Sequence, residues 1–294
     1  MDFQEPKEID RTLEHRSRHI TDPAGREMDI ISDGQAKDLA HQWGCKVSQV
    51  YLEALRCGIY PHRYIRNRAV ISPEEQLKLA QSRVSIVGAG GLGGHIVLLL
   101  GRIGVGHLIV IDKDVFDETN LNRQALCTME SIGKSKAEWA AKVMASVNPG
   151  VEVRAYYTQL DASNMEAILG NSHVVVDALD NVEDRLDLDK ETKRMNIPLV
   201  HGALAGFEGQ LMTIFPEDRG LSLLYGEKGS TKDGRDRPEF QLGVPTLTPA
   251  VIASFQAMEV VKILLMRGKI FRDRMVYVDL EEGEVRHFAL EKKS

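Results

Sequence analysis

The chain has 294 residues, with 37 Lys and Arg against 43 Asp and Glu, a formal net charge of -6 at pH 7. That balance excludes the basic excess of a general nucleic-acid surface, while 43% hydrophobic and 6% aromatic residues suit a globular core. Three cysteines, Cys45, Cys57 and Cys127, are odd in number and unevenly spaced. They fit a reducing cytoplasm and not a disulfide framework.

The N-terminus MDFQEPKEIDRTLEHRSRH is charged throughout, which a secretory signal is not. Two apolar runs stand out, residues 96–111 and 249–266. Arg102 with several glycines interrupts the first, Glu259 and Lys262 the second, so neither predicts a membrane span. Residues 1–30 are polar and charge-rich and read as a poorly ordered arm or a docking segment.

Over residues 33–59, Ala36, Leu39, Ala40, Val47, Val50, Tyr51 and Leu55 recur at helical spacing. They predict two short helices joined at Gly44-Cys45, with Cys45 and Cys57 packing the pair. The spacing of Ala40, Gly44 and Val50 is similar to a helix-turn-helix. Balanced charge and the lack of a basic face favour a helical hairpin packed on the main domain.

A helix over 74–80 leads into strand 84–87. Helix 92–103, strand 107–111, helix 135–147, strand 151–157, helix 162–169, strand 173–178, helix 182–195 and strand 198–201 follow. This alternation predicts an α/β fold with a doubly wound, mostly parallel, Rossmann-like sheet. Residues 209–215, 275–280 and 285–290 predict an antiparallel C-terminal extension, and 249–266 a long buried helix. Residues 216–245 are rich in Gly, Asp, Arg and Lys without periodicity, the mark of a functional or disordered loop.

The chemistry starts at Val84-Ser-Ile-Val-Gly-Ala-Gly-Gly-Leu-Gly-Gly94, an apolar strand, a glycine turn and a helix start. Gly88, Gly90, Gly91 and Gly93 would let backbone N–H groups approach a nucleotide phosphate. Asp112 ends the next strand near the spacing at which an acid meets ribose hydroxyls. A nicotinamide site needs no more than this. Here Asn120, Arg123, Gln124 and Lys136 follow, cations and amides suited to a triphosphate. Asp180-Asn181 comes after the strand at 173–178, where Asp180 is placed to hold Mg²⁺ or to cap the next helix. Asp177 reads as structural, His201 as a hydrogen-bonded structural histidine, and Cys127 as a core residue rather than a nucleophile.

The segments G-A-G-G-L-G, D-K-D-V-F-D-E-T-N-L-N-R-Q, I-G-K-S-K-A-E and D-A-L-D-N, in that order, resemble the MoeB/ThiF/HesA family. This is the bacterial branch of the ubiquitin-activating enzyme superfamily. His201-Gly-Ala, Glu208-Gly-Gln and Ser254-Phe-Gln-Ala-Met-Glu extend the likeness over roughly residues 63–290. It divides the chain into an N-terminal arm and helical hairpin (1–62) and an ATP-binding domain (63–294) with a crossover loop at 216–245.

The resemblance implies an adenylyltransferase acting on the C-terminal carboxylate of a small ubiquitin-like sulfur carrier with a Gly-Gly tail. ATP and Mg²⁺ would be its cofactors. Gly88, Gly90, Gly91, Gly93, Asp112, Asn120, Gln124 and Asn181 would contribute to the nucleotide site. Arg123, Lys136 and Asp180 would act on the phosphates and Mg²⁺. Arg66 matches an arginine that reaches the opposite subunit's triphosphate, which implies a homodimer. Many members also carry two Cys-x-x-Cys pairs for a structural zinc. Leu221-Ser-Leu-Leu-Tyr-Gly226 and the terminal Glu-Lys-Lys-Ser lack cysteine, so no zinc is expected. Two other readings are activation of a different substrate, such as a small carboxylate or a modified tRNA base, and a DNA-binding regulator with a vestigial ATP site.

Overall fold

The computed structural model describes residues 6–226 and 241–290. Where the composition of residues 1–30 predicts a poorly ordered arm, there is a helix and a hairpin. Helix α1 (Pro6–Arg16) leads into antiparallel strands β1 (Arg18–Thr21) and β2 (Glu27–Ile31). Leu13, Met28, Ile30 and Ile31 are buried in one apolar cluster with the helices that follow. Average polarity concealed these few anchors, and burying them is what orders the segment.

Helix α2 (Asp33–Trp43) starts at a capping box between Ser32 and Gln35 and stops at Gly44, whose left-handed backbone terminates it. Helix α3 (Val47–Arg56) completes the expected hairpin, and β3 (Tyr60–Pro61) pairs with β2. Only Gln49 and Arg56 of α3 are exposed, which leaves little surface for a DNA groove. Two links tie this unit to the rest. Lys46 Nζ lies 2.6 Å from Glu152 Oε2, and Arg63 Nη1 donates to the Val147 carbonyl at 2.9 Å.

Helix α4 (Pro73–Gln81), capped by Ser72 and Glu75 with Pro73 in its first turn, delivers the chain to β4 (Arg83–Val87). Then come α5 (Gly91–Ile103), β5 (His107–Ile111), α6 (Lys136–Val147), β6 (Glu152–Tyr156), α7 (Met165–Leu169) and β7 (Val174–Asp177). Next are α8 (Val182–Arg194), β8 (Leu199–Ala205), β9 (Glu208–Ile214) and α9 (Ser222–Tyr225). A long helix, here α10 (Leu247–Leu265), precedes β10 (Arg274–Asp279) and β11 (Glu284–Ala289).

The eight-stranded sheet has the order β11-β10-β9-β8-β7-β4-β5-β6. β6, β5, β4, β7 and β8 run parallel and the remaining three antiparallel. Alternation gives the sheet two buried faces. Val84, Ile86, Val174 and Val176 join the cluster containing α5 and α10, whereas Val87, Ile111 and Val175 join the one containing α7 and α8.

The expected helix at 162–169 begins later, at Met165, because side chains of Asp161 and Asn164 bond to nearby backbone N–H groups and form a turn. The expected loop at 216–245 holds α9, and its residues 227–240 lie outside the described residues. By length and composition α10 is apolar enough to cross a membrane, contrary to the sequence expectation. It is nonetheless the central core helix, packed on α5, β8 and β9. Its buried Glu259 accepts hydrogen bonds from Thr213 Oγ1 and the Phe271 N–H, each at 2.7 Å, and pairs with Lys262. Buried charge is tolerated where it is satisfied in this way.

Candidate active site

After β4 the chain builds outward through β5 and β6, then returns to the other side of β4 with β7. The carboxyl ends of strands flanking such a reversal form the ligand crevice of open α/β sheets. A cavity of about 670 Å³ opens there.

The four glycines divide into two pairs. Gly88 has φ +95°, and a Cβ on it would lie 2.5 Å from the Ala178 carbonyl oxygen. A Cβ on Gly93 would fall 1.8 Å from the Gly88 carbonyl oxygen. These two are required by packing, and Gly93 does not line the cavity. Gly90 and Gly91 do line it, with only ordinary contacts around an added Cβ. Since α5 begins at Gly91, its first-turn N–H groups lack intrahelical partners and suit an anion.

Asp112 stands at the end of β5. Its Oδ2 accepts from the Ala89 N–H at 2.7 Å and its Oδ1 from the Asp114 N–H at 2.8 Å, which fixes the carboxylate beside the glycine turn. Burial pushes its carboxyl above the usual range, against those hydrogen bonds and the nearby Lys136 charge. Lys136 begins α6 with its side chain nine-tenths buried, and its Nζ lies 3.1 Å from Asp114 Oδ2. Gln124 is buried, and its Oε1 has no hydrogen-bond partner within the chain. Arg123 Nη1 donates to the Thr119 carbonyl at 2.8 Å.

Asp180 is exposed, lines the cavity and makes no hydrogen bond or ion pair among the described residues. The cap of α8 is Asn181, whose Oδ1 accepts from the Asp184 N–H at 2.8 Å. Capping is therefore not the work of Asp180. Leu160, Met165 and Leu179, with Thr158 and Gln159, supply a largely apolar wall suited to a flat base.

Two expected site residues lie elsewhere. Asn120 is buried and outside the cavity lining. Its Oδ1 accepts from the Asp117 N–H at 3.1 Å, and its carbonyl accepts from the Arg123 and Gln124 N–H groups. It shapes the turn that presents those residues. Arg66 is exposed, away from the cavity, with no partner in its own chain.

His201 and Asp177 are structural, as expected. Nδ1 and Oδ2 lie 2.6 Å apart with both side chains fully buried, and burial lowers the histidine's pKa. Sequence reasoning missed Arg185, Gln210 and Tyr225, which also line the cavity. Arg185 had a signal: a cation in the first turn of a helix opposes the macrodipole and asks for a reason. Tyr225 had none, because it sits in an aperiodic stretch.

A glycine turn at the strand-order reversal, a fixed acid on the neighbouring strand, a buried lysine and a free carboxylate define a nucleotide-binding α/β domain. Residues 64–294 match the ThiF family model, and the chain belongs to that family. It is 36% identical over 228 residues to the SAMP-activating enzyme E1 of Haloferax volcanii, covering 78% of this chain and 83% of that protein. It is 33% identical over 231 residues to the sulfur carrier protein adenylyltransferase of Thermus thermophilus, covering 76% and 83%. The fold is shared with E. coli MccB, solved with ATP, at a TM-score of 0.67 and 21% identity over 79% of this chain and 72% of that one.

Proposed function

We propose that this chain adenylates the C-terminal glycine carboxylate of a small ubiquitin-like sulfur carrier and releases pyrophosphate. The observation that carries the reading is the content of one cavity. Lys136, Arg123 and the unpartnered Asp180 line its glycine-turn side, and its wall continues past Ala203 and Ala205 to Glu208, Gly209 and Tyr277. There is room for a nucleotide and for a narrow acyl tail beside it. The names of the two relatives above, one a sulfur carrier protein adenylyltransferase, support the same reading.

A carboxylate oxygen attacks the α-phosphorus, forming one P–O bond as the bond to the β-phosphate bridging oxygen breaks. Pyrophosphate leaves with that electron pair, and no proton has to move. A carboxylate is already a competent nucleophile, so the protein's work is positioning and charge compensation. Asp112 orients the ribose, the N-terminus of α5 and Lys136 meet the phosphates, and Gln124 offers its free Oε1 in the wall. Asp180, a hard oxygen donor without a protein partner, would hold Mg²⁺, which neutralises triphosphate charge when bound. Arg66, free on its own subunit, serves the site of a second copy in a homodimer.

The test is ATP–pyrophosphate exchange with purified carriers. Exchange that requires Mg²⁺ and a Gly-Gly-tailed carrier is the expected result. Exchange driven instead by tRNA or a small carboxylic acid, and by no carrier, would replace this reading with activation of another substrate. The buried face of α3 disfavours the DNA-binding reading.

A further inference from the structure

One polar cluster in the cavity wall has no task in adenylation. Tyr225, at the end of α9, places its hydroxyl among side chains from three other elements. Gln210 Nε2 on β9 donates to it at 3.0 Å, and Arg185 Nη1 on α8 donates at 3.3 Å. His201 Nε2 on β8 is 3.3 Å away. Because His201 Nδ1 bonds the Asp177 carboxylate, the neutral ring carries its proton there and leaves Nε2 as an acceptor for the phenol O–H. A phenol offers one donor and two acceptor positions, and this one uses all three.

The start of α9 is secured separately. Leu221, just before it, is fully buried, and its N–H donates at 2.9 Å to Asp189 Oδ2, an oxygen that Lys193 Nζ also binds at 2.8 Å.

The resemblance places a zinc-binding Cys-x-x-Cys pair of many family members at this stretch. The residues present do not fit that metal. Leu221-Ser-Leu-Leu-Tyr-Gly226 contains no thiolate, and Ser222 Oγ donates to the Arg219 carbonyl. No cluster of three or more His, Cys, Asp or Glu suited to a metal exists among the described residues. The phenol is saturated by protein groups.

We infer that Tyr225, seated on His201, Arg185 and Gln210, holds α9 to the sheet where many relatives use zinc, and so sets the cavity wall these side chains line. Asp177 completes the anchor by fixing the histidine tautomer from below. The inference rests on the family assignment and the local geometry, not on the identity of the acyl substrate, so it stands or falls separately from the adenylation reading.

The experiment uses the full chain produced with zinc in the growth medium. Metal content is measured, and thermal unfolding is followed with and without 1,10-phenanthroline, for the wild type, Tyr225→Phe, Gln210→Leu and the double variant. Zinc should be far below one per chain, and the chelator should leave the midpoint unchanged. Tyr225→Phe should lower the midpoint by about 2–4 °C. The double variant should fall little further than the worse single, since both break one cluster. Stoichiometric zinc whose removal lowers the midpoint would overturn the inference. So would a Tyr225→Phe midpoint equal to wild type, or fully additive losses.

Discussion

Lys136 Nζ and Asp114 Oδ2 lie 3.1 Å apart, a nine-tenths buried cation facing a half-exposed carboxylate at the cavity edge. The ammonium is held ready beside the glycine turn, and the Asp114 backbone carbonyl also accepts from the Lys136 N–H at 3.0 Å. Lys136→Gln keeps the stem and removes the charge. Loss of one preorganised donor costs on the order of a hundredfold, so exchange should fall by about that factor with the main loss in kcat. A loss confined to KM for ATP would show uniform binding instead.

Asp180 contributes nothing to its own chain's hydrogen bonding, and Asn181 does the capping of α8. Asp180→Asn should therefore keep its unfolding midpoint within about 2 °C of wild type, as other surface changes do. Exchange should drop by about a hundredfold or more and Mg²⁺ titration should no longer restore it. Near-normal turnover in this variant would move the metal elsewhere.

For Arg66, subunit mixing gives the decisive measurement. Arg66→Ala and Asp180→Asn should each be nearly inactive alone, and co-refolded mixed dimers should regain activity, because one of the two sites then has every residue. Confirmed mixed dimers without activity would rule out a role across the subunit boundary.

The glycines separate packing from binding. Gly93→Ala forces a Cβ to within 1.8 Å of a backbone oxygen that cannot swing away. Destabilisation by more than about 3 kcal/mol is expected in chemical denaturation. Gly91→Ala meets nothing closer than Pro249 at 3.5 Å. That variant should fold normally and bind ATP more weakly, as calorimetric titration would show, because its methyl group enters the cavity.

His201 gives the fold an acid limit. Burial holds its folded pKa below the ordinary 6.5, so under acid conditions the unfolded chain binds a proton the folded chain refuses. Its contribution is fully present above about pH 6.5 and is lost as the pH falls below that value. His201→Gln should be less stable at pH 8 yet show a shallower fall in midpoint between pH 6.5 and 5. His95 and His107, also lowered by burial, remain in both proteins and cancel in the comparison.

The sequence alone determined the nucleotide half of the molecule. Strand, glycine turn, helix start and strand-end acid are contiguous, and their backbone demands are local enough to be written into residue type at Gly88, Gly91 and Asp112. Helical and strand periodicity likewise delivered the alternation of the parallel sheet, since each element buries a face of its own. Tertiary structure alone decided which of two adjacent polar residues, Asp180 or Asn181, caps α8 and which stays free. It also decided that Asn120 builds a turn outside the cavity, and that Leu13 and Ile30 order a segment whose average composition is polar. The joining of Tyr225 to His201, Arg185 and Gln210 was likewise invisible beforehand. Those partners belong to separate elements, and only strand pairing and helix packing bring them within hydrogen-bonding distance.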